Sequence, residues 1–162
     1  MVPYILAIDA GTTSSRAIIF DKDTKKIGLG QFEFTQHFPD NSWVEHDANE
    51  IWATQQKAIT AALKAAKIKA TGIAAIGITN QRETTIVWDR ATGEPIYNAI
   101  VWQDRRTSNY CTSLSSENVA MVAEKTGLIV DAYFSASKIR WILRKVEARP
   151  SAQREASFVL EP

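Results

Sequence analysis

A chain of 162 residues, 45% of them apolar and 23% charged, has the composition of a globular protein, which excludes a largely disordered chain. Its net charge is +1, and its Lys and Arg residues are scattered, so no basic patch suggests nucleic-acid binding. No apolar run approaches the ~20 residues of a membrane span, and the first residues lack the basic segment of a signal peptide. We therefore expect a packed cytoplasmic protein that binds small molecules, with no nucleic-acid partner and no membrane span.

Three short β-like runs open the chain, Tyr4–Ile8, Arg16–Asp21 and Ile27–Phe34. Because the connections between them are short and polar, they are predicted to form an antiparallel meander. The first connection is unusual in composition. One glycine and four hydroxyl residues follow one another in it, Gly11-Thr12-Thr13-Ser14-Ser15.

An amphipathic helix is predicted next, since apolar residues recur at helical spacing at Ile51, Trp52, Ala58, Ile59, Ala62, Leu63 and Ala66. Asp47 or Asn49 can cap its start, and lysines lie near its end. The following apolar run, Ile73–Ile78, shows little alternation. That pattern predicts a central strand covered on both faces.

A polar cluster and two more β-like runs, Thr84–Trp88 and Ile96–Trp102, lead into two predicted helices. The first helix, Arg105–Lys125, is followed by Gly127 as a stop, and the second spans Ser135–Arg149. This element order predicts a mixed α/β layer fold. The tryptophans are expected to pack in the core, namely Trp43, Trp52, Trp88, Trp102 and Trp141.

The segment from Asp9 to Arg16 contains a carboxylate, a glycine, hydroxyls and a guanidinium between two predicted strands. Glycine lets the backbone approach an anion, hydroxyls donate further bonds, and arginine adds a bidentate cationic contact, so this set suits nucleotide phosphates. Asp9 would serve a magnesium ion or its waters. The alternative is a polar hairpin turn. The segment is not a P-loop, because it lacks the Gly-Lys-Ser/Thr ending and leads into a strand.

A second polar cluster, Gln81-Arg82-Glu83, follows the predicted buried strand, where ligands bind in layered α/β folds. Arginine only donates hydrogen bonds and an ionised glutamate only accepts them, so together they can recognise the hydroxyls of a polyol. The alternative is a surface ion pair of little effect on stability.

Other candidate residues give weaker signals. Tyr133 lies in an irregular segment between helices, where its phenol can either line a pocket or pack. Cys111 is the only cysteine, which excludes an intrachain disulfide, and we predict that it packs. His37 and His46 have no partners at metal-ligand spacing, so no zinc site is predicted.

Together, four segments closely resemble the glycerol kinases of the FGGY carbohydrate kinase family: Asp9–Arg16, Trp43–Asp47, Gly77–Thr85 and Ala99–Gln103. The resemblance runs through about residue 149. It implies the ribonuclease H-like fold of actin and hexokinase, in which two domains close over ATP and substrate. It also implies transfer of the terminal phosphate of ATP to glycerol, giving sn-glycerol 3-phosphate, with Mg²⁺ as cofactor.

The same resemblance implies roles for individual residues. Those contacting the ATP phosphates would be Thr12, Thr13, Ser14 and Arg16. Those binding the glycerol hydroxyls would be Arg82, Glu83 and Tyr133, and Asp9 would hold Mg²⁺ through water. The sequence Asn80–Glu83 favours glycerol over the substrates of the related xylulose and gluconate kinases.

For domain organisation, the resemblance implies that residues 1–149 form an incomplete amino-terminal kinase domain and that residues 150–162 are a tail departing from the family pattern. The second kinase domain, with the catalytic aspartate and the adenosine pocket, is expected to be absent from this chain. The fragment alone would then be inactive, whereas the full-length parent would be a homo-oligomer. The alternatives are a noncatalytic binding module, a truncated product, or a related FGGY sugar kinase.

Overall fold

The computed structural model describes residues 3–147 and 158–161 of the chain. The described residues divide into two compact units, one within residues 1–36 and 46–81 and the other within residues 37–45 and 82–162. The elements of the first unit are β1 (Tyr4–Ala10), β2 (Ser14–Phe20), β3 (Lys26–Glu33), α1 (Ala48–Ala66), a short 3-10 helix (Ala70–Gly72) and β5 (Ile73–Thr79). The strand β4 (Glu45–His46) lies at the boundary in sequence between the two units.

The first unit is a four-stranded mixed sheet in the order β3-β2-β1-β5. Strands β1, β2 and β3 pair antiparallel, as the short connections predict, and β5 pairs parallel to β1. Helix α1 packs against β2 and β3 and closes a core. The fully or nearly buried residues of that core are Leu6, Ala17, Ile19, Ala58 and Ala62. The predicted α/β fold with a mixed sheet and an antiparallel start is confirmed.

The predicted burial of the strand after α1 is wrong. Strand β5 forms as expected, but it is an edge strand, and among the described residues it pairs with β1 alone. Ile76 is 58% exposed and Ile78 is 72% exposed. The physical reason is the position of α1, which packs on β2 and β3, the strands towards the opposite edge of the sheet from β5. A uniformly apolar run is typical of a strand buried on both faces, but the run does not show which other element would pack against it.

Both ends of α1 follow the signals in the sequence. Asp47 is the N-cap, and its side chain accepts a hydrogen bond of 2.8 Å from the backbone amide of Asn49. The helix ends at Lys67, which adopts a left-handed conformation with φ 54°. The expected packing of Trp52 is wrong, however, because this side chain is 62% exposed. Trp52 lies off the buried face of α1, which is formed by Thr54, Gln55, Ala58 and Ala62.

Two glycines of β3 allow α1 to lie directly on the sheet. A Cβ at Gly28 would lie 2.3 Å from the carbonyl oxygen of Ala62, and one at Gly30 would lie 2.2 Å from that of Ala58. Both obstacles are helix backbone, which cannot swing aside as a flexible side chain can. The close packing of α1 on β3 therefore requires glycine at these positions.

Replacing Gly30 by Ala is expected to lower the free energy of unfolding by about 1–3 kcal/mol, because the added methyl group forces α1 away from β3. Urea unfolding followed by circular dichroism measures the change. Gly77→Ala is the matched control, since nothing lies within 4 Å of a Cβ built on this β5 glycine. Equal effects of the two substitutions would contradict the close-packing argument.

The second unit has a separate core. Its further elements are β6 (Ile86–Asp89), β7 (Ala99–Ile100), α2 (Ser108–Thr112), α3 (Ser116–Thr126), α4 (Ser135–Glu147) and β8 (Phe158–Glu161). Strand β6 pairs antiparallel with β8. Val87, Ile100 and Ile142 are fully buried and bring β6, β7 and α4 together. The prediction of a departing tail concerns residues 150–162, of which only 158–161 are described, and it stays a prediction.

The single helix predicted for residues 105–125 is wrong in detail. The structure has two helices there, because Ser115 acts as an N-cap and its side chain accepts from the amide of Asn118, which starts α3 anew. Gly127 ends α3 as predicted, with φ 71° in the left-handed region that favours glycine. Cys111 is buried on α2, in agreement with its expected packing role.

Candidate functional site

The hydroxyl-rich connection is a tight hairpin turn between β1 and β2. The amide of Gly11 donates to the carbonyl oxygen of Ser14 over 3.0 Å, and the register pairs Asp9 with Arg16. Thr13 is exposed and Thr12 is partly buried. These two residues present the tip of the turn, which we call the hairpin loop (residues 11–14).

Two of the four hydroxyls are turned towards the protein. Ser15 is fully buried, and its hydroxyl lies 3.0 Å from that of Thr54 on α1. Ser14 is 8% exposed, and its Oγ accepts a hydrogen bond of 3.1 Å from Gln31 Nε2. The hairpin loop is thus anchored on one side by side chains, while its tip stays accessible.

The charged residues at the base of the hairpin face one another. Arg16 Nη1 lies 3.4 Å from Asp9 Oδ2, and both side chains are 39% exposed. Arg16 Nε also donates to Gln31 Oε1 over 3.0 Å. The guanidinium is therefore held in place by two partners while a good part of its surface remains accessible.

Glutamines from two other segments support the hairpin loop. Gln81 Nε2 donates to the carbonyl oxygen of Gly11 over 2.8 Å, and Gln36 Nε2 donates to that of Thr12 over 3.3 Å. The sequence pattern had grouped Gln81 with Arg82 and Glu83 as one polar cluster. In the structure Gln81 serves the hairpin loop instead, at the end of β5.

Glu83 is fixed by the start of α4, within the second unit. Its Oε2 accepts from the backbone amide of Ser135 over 2.8 Å and from the Ser135 hydroxyl over 2.7 Å. A carboxylate at this position also interacts favourably with the positive end of the helix. Glu83 itself adopts a left-handed backbone conformation with φ 67°, which is strained for a residue with a side chain.

Tyr133 lies in the segment directly before α4. Its amide donates to Asp131 Oδ1 over 2.7 Å, and its ring packs edge to face against those of Trp102 and Phe134. The structure thus brings Glu83 and Tyr133 to the same helix start, where Arg82 beside Glu83 is exposed. These are the three residues expected to bind a polyol.

Lys138 connects Glu83 and Tyr133. This lysine is fully buried, and its Nζ donates to the carbonyl oxygen of Glu83 over 3.0 Å and also to that of Tyr133. Burial lowers the pKa of the ammonium to about 8, while the nearby carboxylates of Glu83 and Asp104 act in the opposite direction. An ammonium in such a place is costly unless its donors are used.

A buried ion cluster holds the second unit together beside these residues. The Arg106 side chain is fully buried, and it pairs with Glu45 over 2.7 Å and with Asp104 over 2.8 Å. Its guanidinium carbon lies 3.9 Å from the centre of the Trp43 ring and 4.7 Å from that of Trp141. The expected packing of these two tryptophans is confirmed, with a cation between them.

Residues 4–160 match the family model described as the FGGY family of carbohydrate kinases, N-terminal domain. The chain belongs to the FGGY family. Similar proteins include the glycerol kinase of Enterococcus faecalis, 63% identical over 145 residues, and that of Deinococcus radiodurans, 58% identical over 153 residues. These alignments cover 89% and 94% of this chain but 29% and 30% of the relatives. The FGGY chain therefore spans about a third of the length of the proteins it matches.

Solved structures agree with this assignment. The glycerol kinase of Plasmodium falciparum, crystallised with ADP, superposes with a TM-score of 0.83 at 35% identity, covering 90% of this FGGY chain and 30% of that protein. The gluconate kinase of Lactobacillus acidophilus has a TM-score of 0.79 at 22% identity, over 91% of this chain and 30% of that one. The second likeness shows the shared fold alone.

Sequence reasoning missed two residues that contact the candidate ligand Glu83, namely Ser135 and Lys138. Both lie near the start of α4, about one turn apart, and contact the segment that carries Glu83. A signal was present, because Lys138 stands three and four residues before Trp141 and Ile142, on the apolar face of the helix. A lysine at a core position requires acceptors in the interior.

The lowered pKa of Lys138 predicts a rise in stability with pH in this FGGY chain. The ammonium titrates near pH 8 when folded but at its ordinary value of 10.5 when unfolded, so the unfolded chain binds more protons between these values. We expect the free energy of unfolding to increase by about 1–2 kcal/mol from pH 7.5 to 9.5. Tyr97, whose pKa is raised chiefly by burial, acts oppositely, but only above pH 10.

Urea unfolding at several pH values measures this change. Lys138→Met should remove the rise, whereas Lys145→Met, at an exposed position of the same helix, should retain it. A stability that falls between pH 7.5 and 9.5 would contradict the prediction.

Proposed function

We propose that this chain is the amino-terminal part of an ATP-dependent glycerol kinase, which transfers the terminal phosphate of ATP to glycerol and gives sn-glycerol 3-phosphate. The observation that carries the proposal is the 55–63% identity, over about nine-tenths of this chain, to proteins named glycerol kinase. At that level the residues expected to bind ATP and those expected to bind glycerol are compared with close relatives rather than with distant sugar kinases.

The polyol contacts would be made by Arg82, Glu83 and Tyr133. Ser135 engages Oε2 of Glu83, which leaves Oε1 to accept a hydrogen bond from a substrate hydroxyl. The exposed Arg82 supplies donors to the hydroxyl oxygens, and the Tyr133 phenol can donate or accept a hydrogen bond. A donor and an acceptor next to each other suit the neighbouring hydroxyls of glycerol.

The phosphate contacts would be made by the hairpin loop, with Thr12, Thr13 and Ser14 donating to phosphate oxygens, and by the guanidinium of Arg16. The anchoring of the loop by Gln81 and Gln31 would keep these donors in place, so that little order is lost when ATP binds. Such preorganised donors are the main contribution a protein makes to phosphoryl transfer.

Asp9 would hold Mg²⁺ through water. The described residues contain no group of three or more acidic, histidine or cysteine side chains that could hold a metal ion. A single accessible carboxylate nevertheless fits an ion whose other ligands are phosphate oxygens and water. When bound, the ion would neutralise charge on the transferred phosphate.

Deprotonation of the attacking hydroxyl requires a general base, which we place in the part of the relatives' length that this chain does not span. The 162-residue chain alone is then expected to turn over negligibly. A cytoplasmic location and a homo-oligomeric parent remain predictions. Within the described residues, no helix has the length and apolar character needed to cross a membrane.

A coupled assay of ADP release tests the proposal on the full-length protein and on this chain. We expect the full-length protein to use glycerol in preference to xylulose and gluconate, and this chain to show no turnover. Preference for another polyol would identify a related sugar kinase. Absence of ATP turnover with all three substrates would favour a noncatalytic binding module, and kinase-like rates from the 162-residue chain would contradict the placement of the base.

A further inference from the structure

We propose that Lys138 is a positioning residue of the polyol site, which sets the places of Glu83 and Tyr133 relative to each other. The inference rests on the proposed function, because Glu83 and Tyr133 are polyol ligands only under that proposal. Lys138 itself does not touch the substrate. It acts through the backbone of the two residues that do.

The first support is the geometry of the ammonium. Its Nζ donates to the carbonyl oxygens of both Glu83 and Tyr133, and the first of these lies 55 residues away in the sequence. One cation thereby joins two loops that approach the start of α4 from different parts of the chain. Without it, two carbonyl groups would lose a common donor.

The second support is the conformation of Glu83. Its positive φ of 67° is unfavourable for a residue with a side chain, so surrounding contacts must hold it. Helix α4 does so at two points. Ser135 binds the carboxylate, and Lys138, one turn further along, binds the carbonyl oxygen of the same residue.

The third support is the chemistry of the position. An apolar residue would fill the fully buried place of Lys138 without the cost of desolvating a charge. The charged groups around the ammonium are Glu83, Asp104, Asp131 and Arg105, of which the carboxylates favour its protonated form. A lysine here serves to present donors to the two carbonyl groups, which a hydrophobic side chain cannot do.

The test uses steady-state kinetics of the full-length protein with Lys138→Met, which keeps the length of the side chain and removes its donors. We expect the KM for glycerol to rise about tenfold or more, while the KM for ATP stays within about twofold of wild type. Lys145→Met on the exposed face of α4 is the matched control and should behave as wild type. Lys138→Gln, which retains an NH₂ donor, should recover part of the loss.

A double-mutant cycle with Glu83→Gln separates positioning from general stabilisation. If Lys138 acts through Glu83, adding Lys138→Met to Glu83→Gln should raise the KM for glycerol by less than about threefold. Multiplicative effects, an equal loss of ATP and glycerol affinity, or failure of both Lys138 variants to fold would overturn the inference and assign Lys138 a structural role.

Wild-type kinetics distinguish this failure from failure of the proposed function. A wild-type protein that does not phosphorylate glycerol would overturn the proposed function and the inference together. A wild-type protein that does so, combined with an unchanged KM for glycerol in Lys138→Met, would overturn the inference alone.

Discussion

Glu83→Ala in the full-length protein is expected to lower kcat/KM for glycerol by about 100-fold, because it removes a charged acceptor from a polyol site whose remaining groups stay in place. The KM for ATP should change little, since the hairpin loop lies in a different unit of the chain. Coupled measurement of ADP release at varied glycerol and varied ATP gives both constants.

Besides its effect on glycerol kinetics, Glu83→Ala is expected to lower the stability of the protein. The carboxylate of Glu83 accepts from the amide and the hydroxyl of Ser135, so its loss leaves the start of α4 without this acceptor. We expect the free energy of unfolding to fall by about 1 kcal/mol, as for loss of a helix cap. Glu83→Gln separates the two effects, because the amide oxygen can still accept from Ser135 while the negative charge is gone.

Glu124→Ala is the matched control for Glu83→Ala. This glutamate is exposed on α3, and its removal should leave glycerol kinetics and stability close to wild type. Glycerol kinetics unchanged by Glu83→Ala would exclude this residue as a substrate ligand. Parallel losses for glycerol and ATP would indicate a folding defect rather than a lost contact.

Arg106→Met is expected to lower the free energy of unfolding by about 3–5 kcal/mol, since it leaves two buried carboxylates without their cation. Asp104 and Glu45 are almost fully buried, at 1% and 3% side-chain exposure, and both contact the guanidinium directly. Trp43 and Trp141 also lose the cation between their rings. Such a loss is a large fraction of the roughly 5–15 kcal/mol by which typical domains are stable.

Arg105→Met is the matched control, one residue earlier in the chain. Arg105 pairs with Asp131, but its side chain is 47% exposed, so removal should cost no more than about 1 kcal/mol. Urea unfolding compares the two variants. Adding Glu45→Gln and Asp104→Asn to Arg106→Met should recover part of the stability, because the unpaired charges are then removed. Similar losses in the two arginine variants would contradict the role of burial.

Local patterns allowed much of the fold to be predicted. The antiparallel strands β1, β2 and β3, the capping of α1 by Asp47 and the end of α3 at Gly127 depend on neighbouring residues, and all agree with the structure. Apart from the helix predicted for residues 105–125, which is two helices, the errors concern burial. Ile78 and Trp52 have the residue types of a core but are exposed, because covering them requires surfaces that local periodicity does not describe.

For the candidate site residues, too, the sequence showed the local features but not the long-range contacts. The hairpin loop is contiguous in sequence, so its accumulation of glycine and hydroxyls was visible directly, although its role as a phosphate site remains a prediction. The contacts of Glu83 were not visible, because Ser135 and Lys138 lie 52 and 55 residues further along the chain. Family resemblance singled out Tyr133, but it did not indicate the buried lysine that joins it to Glu83.

By itself, the sequence determined the α/β class, the short-range hairpins and helix caps, and a resemblance to the FGGY family strong enough to single out the candidate ligands. These depend on residue types at close spacing, where the chain itself sets the distance between groups. Only the tertiary structure decided that β5 is an exposed edge, that Gln81 supports the hairpin loop and that Lys138 bridges Glu83 and Tyr133. Those outcomes depend on which distant segments pack together, and the direction of each side chain is settled only by that packing.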